Sequence, residues 1–225
     1  SAHGDHEHSH LYALMRKSRK EVVGHWQDEE AIEEIRTWVS AAKAFAAGNT
    51  LRVVRFGDNM RDVAVTEGNK VTTQAKLGWS VDYYGIGDLV EEINKVTDEE
   101  ADALIEEYKN SYTVVTDDIA AIKEQAKYEI ALERFLNKTE STAFTTNFQD
   151  LHGLKQLPGL SAQRLMAKGY GFGAEGDWKT AALTRAMKIM SENDSTAFME
   201  DYTYNLVKGE EAILGAHMLE VCPTI

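Results

Sequence analysis

The sequence predicts an α/β fold, a mostly parallel sheet covered by helices, followed by the start of a β-rich piece. Three observations predict it. Short apolar runs alternate with amphipathic helical stretches from Leu51 to about Met190, the pattern of repeated strand–crossover–strand units. The Val-Val pair in LRVVRFG makes a continuous apolar run, as in strands buried on both faces. After Asn193 the texture changes, and Phe198 to Leu206 and Ala212 to Leu219 alternate in the manner of antiparallel strands. The expected organisation is the tail end of an N-terminal domain over 1–48, a central α/β domain over 49–194, and the start of a β-rich C-terminal domain over 195–225.

Taken in order, the chain opens on SAHGDHEHSH, which holds His3, His6, His8 and His10. Such a cluster has the composition of a transition-metal site. A polar helix start or loop with water-facing histidines is the preferred reading for His6, His8 and His10. Leu11 to Arg19 reads as helix and EVVGH, 21–25, as a short strand. From Asp28 to Ala47, Ile32, Ile35, Val39, Ala42 and Phe45 fall at three- and four-residue spacings, an amphipathic helix stopped by Gly48. Glu29, Glu30, Glu33 and Glu34 crowd its first turns, where the helix dipole favours negative charge.

LRVVRFG then reads as a strand, with FGDNMRD as the loop at its carboxyl end, the edge where open α/β sheets hold ligands. A helix is expected over Lys70 to Leu77, a strand over Trp79 to Tyr84, and helices over Asp88 to Lys95 and Asp98 to Tyr112. Thr97 and Glu100 have the spacing of a capping box. Ile119, Ile122, Ala126 and Ile130 mark a helix from Asp117 to about Leu136. Thr142 to Thr146 reads as a buried strand running into NFQDLHGLKQLPG, and Pro158 starts a helix to about Lys168. His152 in that loop is read as a loop-fixing or capping residue before a catalytic one.

Composition bounds the function. The 225 residues are 43% apolar and 27% charged, with a net charge of −13, ordinary for a globular protein but unsuited to a polyphosphate backbone. A single cysteine, Cys222, excludes an internal disulfide and suits a reducing compartment. No apolar run approaches the ~18 residues of a membrane span, and the polar start is unlike a secretory signal. The expected location is cytoplasmic, with neither nucleic acid nor membrane as partner. The chain has no initiator Met and stops within LEVCPTI, so it reads as a segment of a longer protein.

Chemistry concentrates after Gly171. Glu175 lies in a glycine-rich turn, Glu200 in an aromatic segment and His217 after a Gly-Ala step. Two carboxylates and an imidazole suit a divalent ion such as Mn²⁺, with Co²⁺ or Mg²⁺ as alternatives, that must also hold substrate oxygens. They stand too far apart for a finger motif, so only a fold can unite them. Gly171, Gly173 and Gly176 also spell the dinucleotide fingerprint. That reading fails on two counts: no strand is expected before Gly171, and Glu175 and Asp177 put negative charge where phosphates would sit. The glycines are read instead as a bend that frees the Glu175 carboxylate, with Asp177 capping the next helix and Trp178 packing beneath.

FGDNMRDVAVTEG, DLHGLKQLPGL, GFGAEGDWKTAAL, FMEDYTY and GAHMLEVCPTI occur in the order found in L-arabinose isomerases, and over essentially its whole length the chain resembles that family. The resemblance implies a Rossmann-like central domain and metal-dependent conversion of L-arabinose to L-ribulose, with D-galactose to D-tagatose as a second conversion. It implies Glu175 and Glu200 as acid/base residues that also ligate the metal, His217 as a third ligand, and a fourth histidine downstream of this chain. Met60 and Phe148 match substrate-contacting positions. His3, in Ala-His-Gly, matches a histidine that reaches a site shared between subunits, and a hexamer is implied. Ala174 stands where many relatives have glycine. Without the fourth ligand, this stretch alone is expected to be inactive. Alternatives are a related ketol-isomerase such as an L-fucose isomerase, and a sugar-binding α/β domain without chemistry.

Overall fold

The computed structural model describes residues 2–225. The chain forms two compact units that divide between Lys43 and Ala44. The first holds α1 (Ala2–Leu14) and most of α2 (Glu29–Gly48). The histidine tract is helical and His3, His6 and His10 are exposed. Residues 21–25 form no strand, and Val23 is 96% exposed. The composition of EVVGH favours a strand, but a strand needs a neighbour to pair with, and none lies beside it among the described residues. The α2 periodicity is real, yet Ile35, Val39 and Phe45 are exposed with Trp38 beside them. The spacing specified a face but not its partner.

The second unit continues with β1 (Arg52–Phe56), a 3₁₀ turn (Ala64–Thr66), α3 (Lys70–Leu77) and β2 (Ser80–Tyr84). Then come α4 (Ile86–Lys95), α5 (Asp98–Ser111), α6 (Ile119–Lys138) and β3 (Ala143–Thr145). The rest is α7 (Gly159–Ala167), β4 (Gly171–Gly173), α8 (Trp178–Met190), β5 (Glu200–Asn205) and β6 (Ala212–Ala216). The first four strands make one sheet in the order β2-β1-β3-β4, every pair parallel. β5 and β6 pair antiparallel as a separate ribbon. The α/β expectation and the β-rich C-terminal start both hold.

Alternation along the strands assigns the two faces. Val53 and Ala143 cluster with Trp178, Ala181 and Ala182 of α8. Val54, Phe56, Phe144 and Phe172 point the other way and cluster with Leu89 of α4, Leu132 of α6 and Leu165 of α7. α5 lies outside α6 through Ala101, Ile105 and Ala126, and its capping box between Thr97 and Glu100 is formed.

Gly171 and Gly173 correct one detail of the sequence reading, because they are themselves the strand β4. A Cβ at Gly171 would lie 2.2 Å from the Ala181 carbonyl oxygen, and one at Gly173 would lie 2.7 Å from the Ala181 nitrogen. These glycines let α8 approach the sheet closely. The helix N-terminus is occupied by the Asp177 side chain, which accepts from the Lys179 and Thr180 amides at 3.0 and 3.2 Å, so the phosphate position is filled by a carboxylate.

In the order β2-β1-β3-β4 the chain reverses direction between β1 and β3. Such a switch point opens a crevice beyond the carboxyl ends of the strands. The loops after β1, β3 and β4 all emerge there.

Candidate metal centre

The loop after β4 is held on both sides. The Met60 amide donates to the Glu175 carbonyl at 2.9 Å, and the Gly176 amide donates to the Thr146 carbonyl at 2.9 Å. Glu175 adopts φ 62°, and Gly176 φ 77°. At Gly176 a Cβ would meet the Asp58 carbonyl oxygen at 2.4 Å, so that position admits no side chain. Glu175 has no such release. Its left-handed backbone costs about 1–2 kcal/mol, and strain of that kind persists where the surroundings dictate it.

The other two residues arrive together. Glu200 opens β5 and pairs in register with Ala216 of β6, so the residue after Ala216, His217, is carried beside it. One ligand atom from each of Glu175, Glu200 and His217 lies within 4.8 Å of the other two. His217 is buried, Glu175 is half-buried, and Glu200 stands at the open end of its strand. The imidazole stacks on Phe148 at 5.8 Å and 6° and meets Phe198 edge-on at 5.0 Å. Its Nδ1 is hydrogen-bonded to Oε2 of Glu220.

The electrostatics fit a cation. Burial pushes the Glu175 carboxyl above the ordinary carboxylate range; the charges of Glu200 and Asp177 push it the same way, and His217 pulls it back. At His217 burial opposes protonation, but the bond to Glu220 and the charges of Glu220, Glu200 and Glu175 outweigh it and raise the pKa. Two carboxylates held this close repel one another, and a divalent ion among them would relieve that. Two oxygen donors and one nitrogen donor suit Mn²⁺, Co²⁺ or Mg²⁺.

Comparison with known proteins agrees along the whole chain. The family model for the L-arabinose isomerase central domain matches residues 52–193, and those for the N-terminal and C-terminal domains match 1–50 and 195–225. The chain belongs to the L-arabinose isomerase family. It is 58% identical over 226 residues to an L-arabinose isomerase of Shouchella clausii, 56% identical over 231 to one of Halalkalibacterium halodurans, and 56% identical over 229 to one of Thermotoga neapolitana. Each alignment covers 100% of this chain and 46% of the relative, so the chain spans about half the length of these relatives.

The residues expected from the resemblance to contact the sugar fall unevenly. Met60 is joined to the Glu175 turn through its backbone, and Phe148 lies against His217. His3 belongs to the first compact unit; it is exposed on α1 and pairs with Glu7 at 3.5 Å. Among the described residues, no other group of three or more histidines, cysteines or acids is disposed to hold a metal. His6, His8 and His10 therefore form no ligand set there, and His152 is exposed outside the triad.

Sequence reasoning missed Glu220 and Phe198, which wall the imidazole, and Asn147, which ties the loops after β1 and β3. The Asn147 amide donates to the Asp58 and Asn59 carbonyls at 3.2 Å each and to Asp150 Oδ2 at 2.9 Å. For Glu220 a signal existed: it follows His217 by three residues, within reach of a local side-chain bond.

Proposed function

We propose that this chain carries both acid/base carboxylates and three metal ligands of an aldose–ketose isomerase. The enzyme converts L-arabinose to L-ribulose through an enediol, with D-galactose to D-tagatose as a second conversion. The observation that carries the reading is the meeting of Glu175, Glu200 and His217 within 4.8 Å, in a chain of this family.

The reaction moves one proton from C2 to C1 and one from O2 to O1. One of Glu175 and Glu200 removes the C2 proton and delivers it to C1. The other moves the hydroxyl proton between the two oxygens, and groups of this type in such roles contribute roughly 10²–10⁴-fold each. Both residues and His217 would hold the ion, Mn²⁺ in this proposal, which when bound stabilises negative charge developing on O1 and O2. Phe148 and Met60 line the sugar's side of the site. His3 serves a site shared with a neighbouring subunit of a homo-oligomer, a hexamer in this proposal. Catabolism of a small aldose in the cytoplasm fits this chemistry; among the described residues no helix is long and apolar enough to cross a membrane.

The test uses the protein as its gene encodes it. Chelation should abolish ketose formation from L-arabinose, and Mn²⁺ should restore it. Glu175→Gln and Glu200→Gln should each remove turnover by two orders of magnitude or more, on the order set by losing an acid/base group. Near-normal turnover in either variant, or indifference to chelation, would overturn the reading. A panel including D-galactose and L-fucose separates the related ketol-isomerases.

A further inference from the structure

We propose that Glu220 is a positioning residue for the metal centre: it holds the His217 ring so that only Nε2 is presented to the ion. This inference rests on the metal-dependent reading above.

The geometry is specific. Glu220 and His217 are both buried, each side chain 2% exposed. The Nδ1–H of His217 donates to Glu220 Oε2, which commits that nitrogen and leaves Nε2 as the uncommitted ligand atom of the ring. A ligating histidine needs its second nitrogen anchored in this way, since the anchor fixes both tautomer and ring plane. The aromatic rings complete the restraint. Phe148 lies parallel to the imidazole and Phe198 meets it edge-on; together they define the plane of the ring, while Glu220 defines its rotation within that plane.

Glu220 is itself held. The preceding residue, Leu219, accepts a hydrogen bond from Gln163 of α7 and packs against Gly159, where a Cβ would come within 2.6 Å of the Leu219 side chain. Two residues on, Cys222 Sγ lies 3.4 Å from Lys188 Nζ of α8, and the same ammonium donates to the Thr196 carbonyl at 2.8 Å. Residues 219–222 are thus pinned to two helices of the α/β unit. Glu220 transmits that rigidity to a ligand on the edge of an otherwise exposed ribbon.

The experiment measures Mn²⁺ affinity of the full encoded protein by the electron paramagnetic resonance signal of free Mn²⁺, beside kcat and KM. Glu220→Leu should weaken Mn²⁺ binding about 10- to 100-fold, as loss of an outer hydrogen-bond partner does. Glu220→Gln keeps an acceptor at the same reach and should stay within a few-fold of wild type. Should Glu220→Leu fail to fold, Glu220→Asp replaces it: the acceptor is withdrawn by one methylene, and affinity should fall where Gln preserves it. Equal Mn²⁺ affinity in wild type and the folded Leu or Asp variant overturns the positioning role and leaves the isomerase reading standing. A wild-type protein that binds no Mn²⁺ overturns both.

Discussion

The main-chain amide of Met60 donates to the carbonyl of Glu175 at 2.9 Å, so the loop after β1 grips the backbone of a residue whose side chain meets Glu200 and His217 in the candidate metal centre. That grip helps explain why Glu175 tolerates φ 62° without being glycine. Replacing it should expose the cost. Glu175→Gly is expected to raise stability by about 0.5–1 kcal/mol, because glycine adopts the left-handed region freely. It should also end Mn²⁺ binding. Urea unfolding of the two proteins in chelator measures the first effect and metal titration the second; a less stable Gly variant would show that the turn is not strained.

The glycines of β4 predict the opposite sign. Gly171→Ala would place a methyl 2.2 Å from the Ala181 carbonyl oxygen, a backbone atom that cannot step aside. Overpacking of this kind costs about 1–3 kcal/mol. At Gly87 in α4 nothing lies within 4 Å of the position a Cβ would take, and Gly87→Ala should stabilise by up to about 1 kcal/mol. Thermal unfolding of the pair checks whether close approach, rather than phosphate binding, explains the fingerprint glycines.

Much of this was legible beforehand, and the reasons differ by element. The capping box at Thr97 and Glu100 is a local device encoded within four residues, and it formed where its letters stand. Strands β1 and β3 were readable from short apolar cores, Val53-Val54 and Ala143-Phe144, of the kind found in strands buried on both faces. β4 escaped because its inward positions are glycines, whose role depends on how near α8 comes. EVVGH misled because strand composition says nothing about whether a neighbour exists. At the centre, the identities of Glu175, Glu200 and His217 rested on their surroundings in sequence, while their convergence needed the Glu200–Ala216 register. Glu220 and Asn147 act through partners, and a partner's position is set only by the fold.

The outer helix α5 gives a pH prediction. Hydrogen bonding and charge from Lys127 and Lys123 hold the Asp98 carboxyl below its usual range, and Arg134 with the Thr97 amide does the same for Glu100. A group whose pKa is lower folded than unfolded stabilises above the unfolded value and loses that contribution as pH falls through the folded one. The ordinary values for unfolded Asp and Glu are about 3.9 and about 4.3. Stability should therefore decline as pH drops below about 4.3, and Asp98→Asn should flatten that acid limb. Urea midpoints between pH 6 and pH 3 test it; an unchanged slope in the variant would assign the acid sensitivity elsewhere.

Asn147 separates loop order from metal affinity. Its side-chain amide is fully buried and donates toward three oxygens, the Asp58 and Asn59 carbonyls and Asp150 Oδ2, while its Oδ1 accepts from the Gln149 amide at 3.0 Å. Asn147→Asp exchanges the donor for an oxygen facing those acceptors, and leaving buried groups unpaired costs about 1–3 kcal/mol. Asn147→Ala removes the bridge without the added repulsion and should cost less than Asp. The Met60 loop loosens in both variants, whereas Glu200 and His217 ride on the ribbon and keep their pairing. KM for the sugar should accordingly rise severalfold in Asn147→Ala while Mn²⁺ affinity moves much less. If Mn²⁺ binding falls in step with KM, the β1 loop would instead hold Glu175 in its ligating position, through the same Met60 amide that meets its carbonyl.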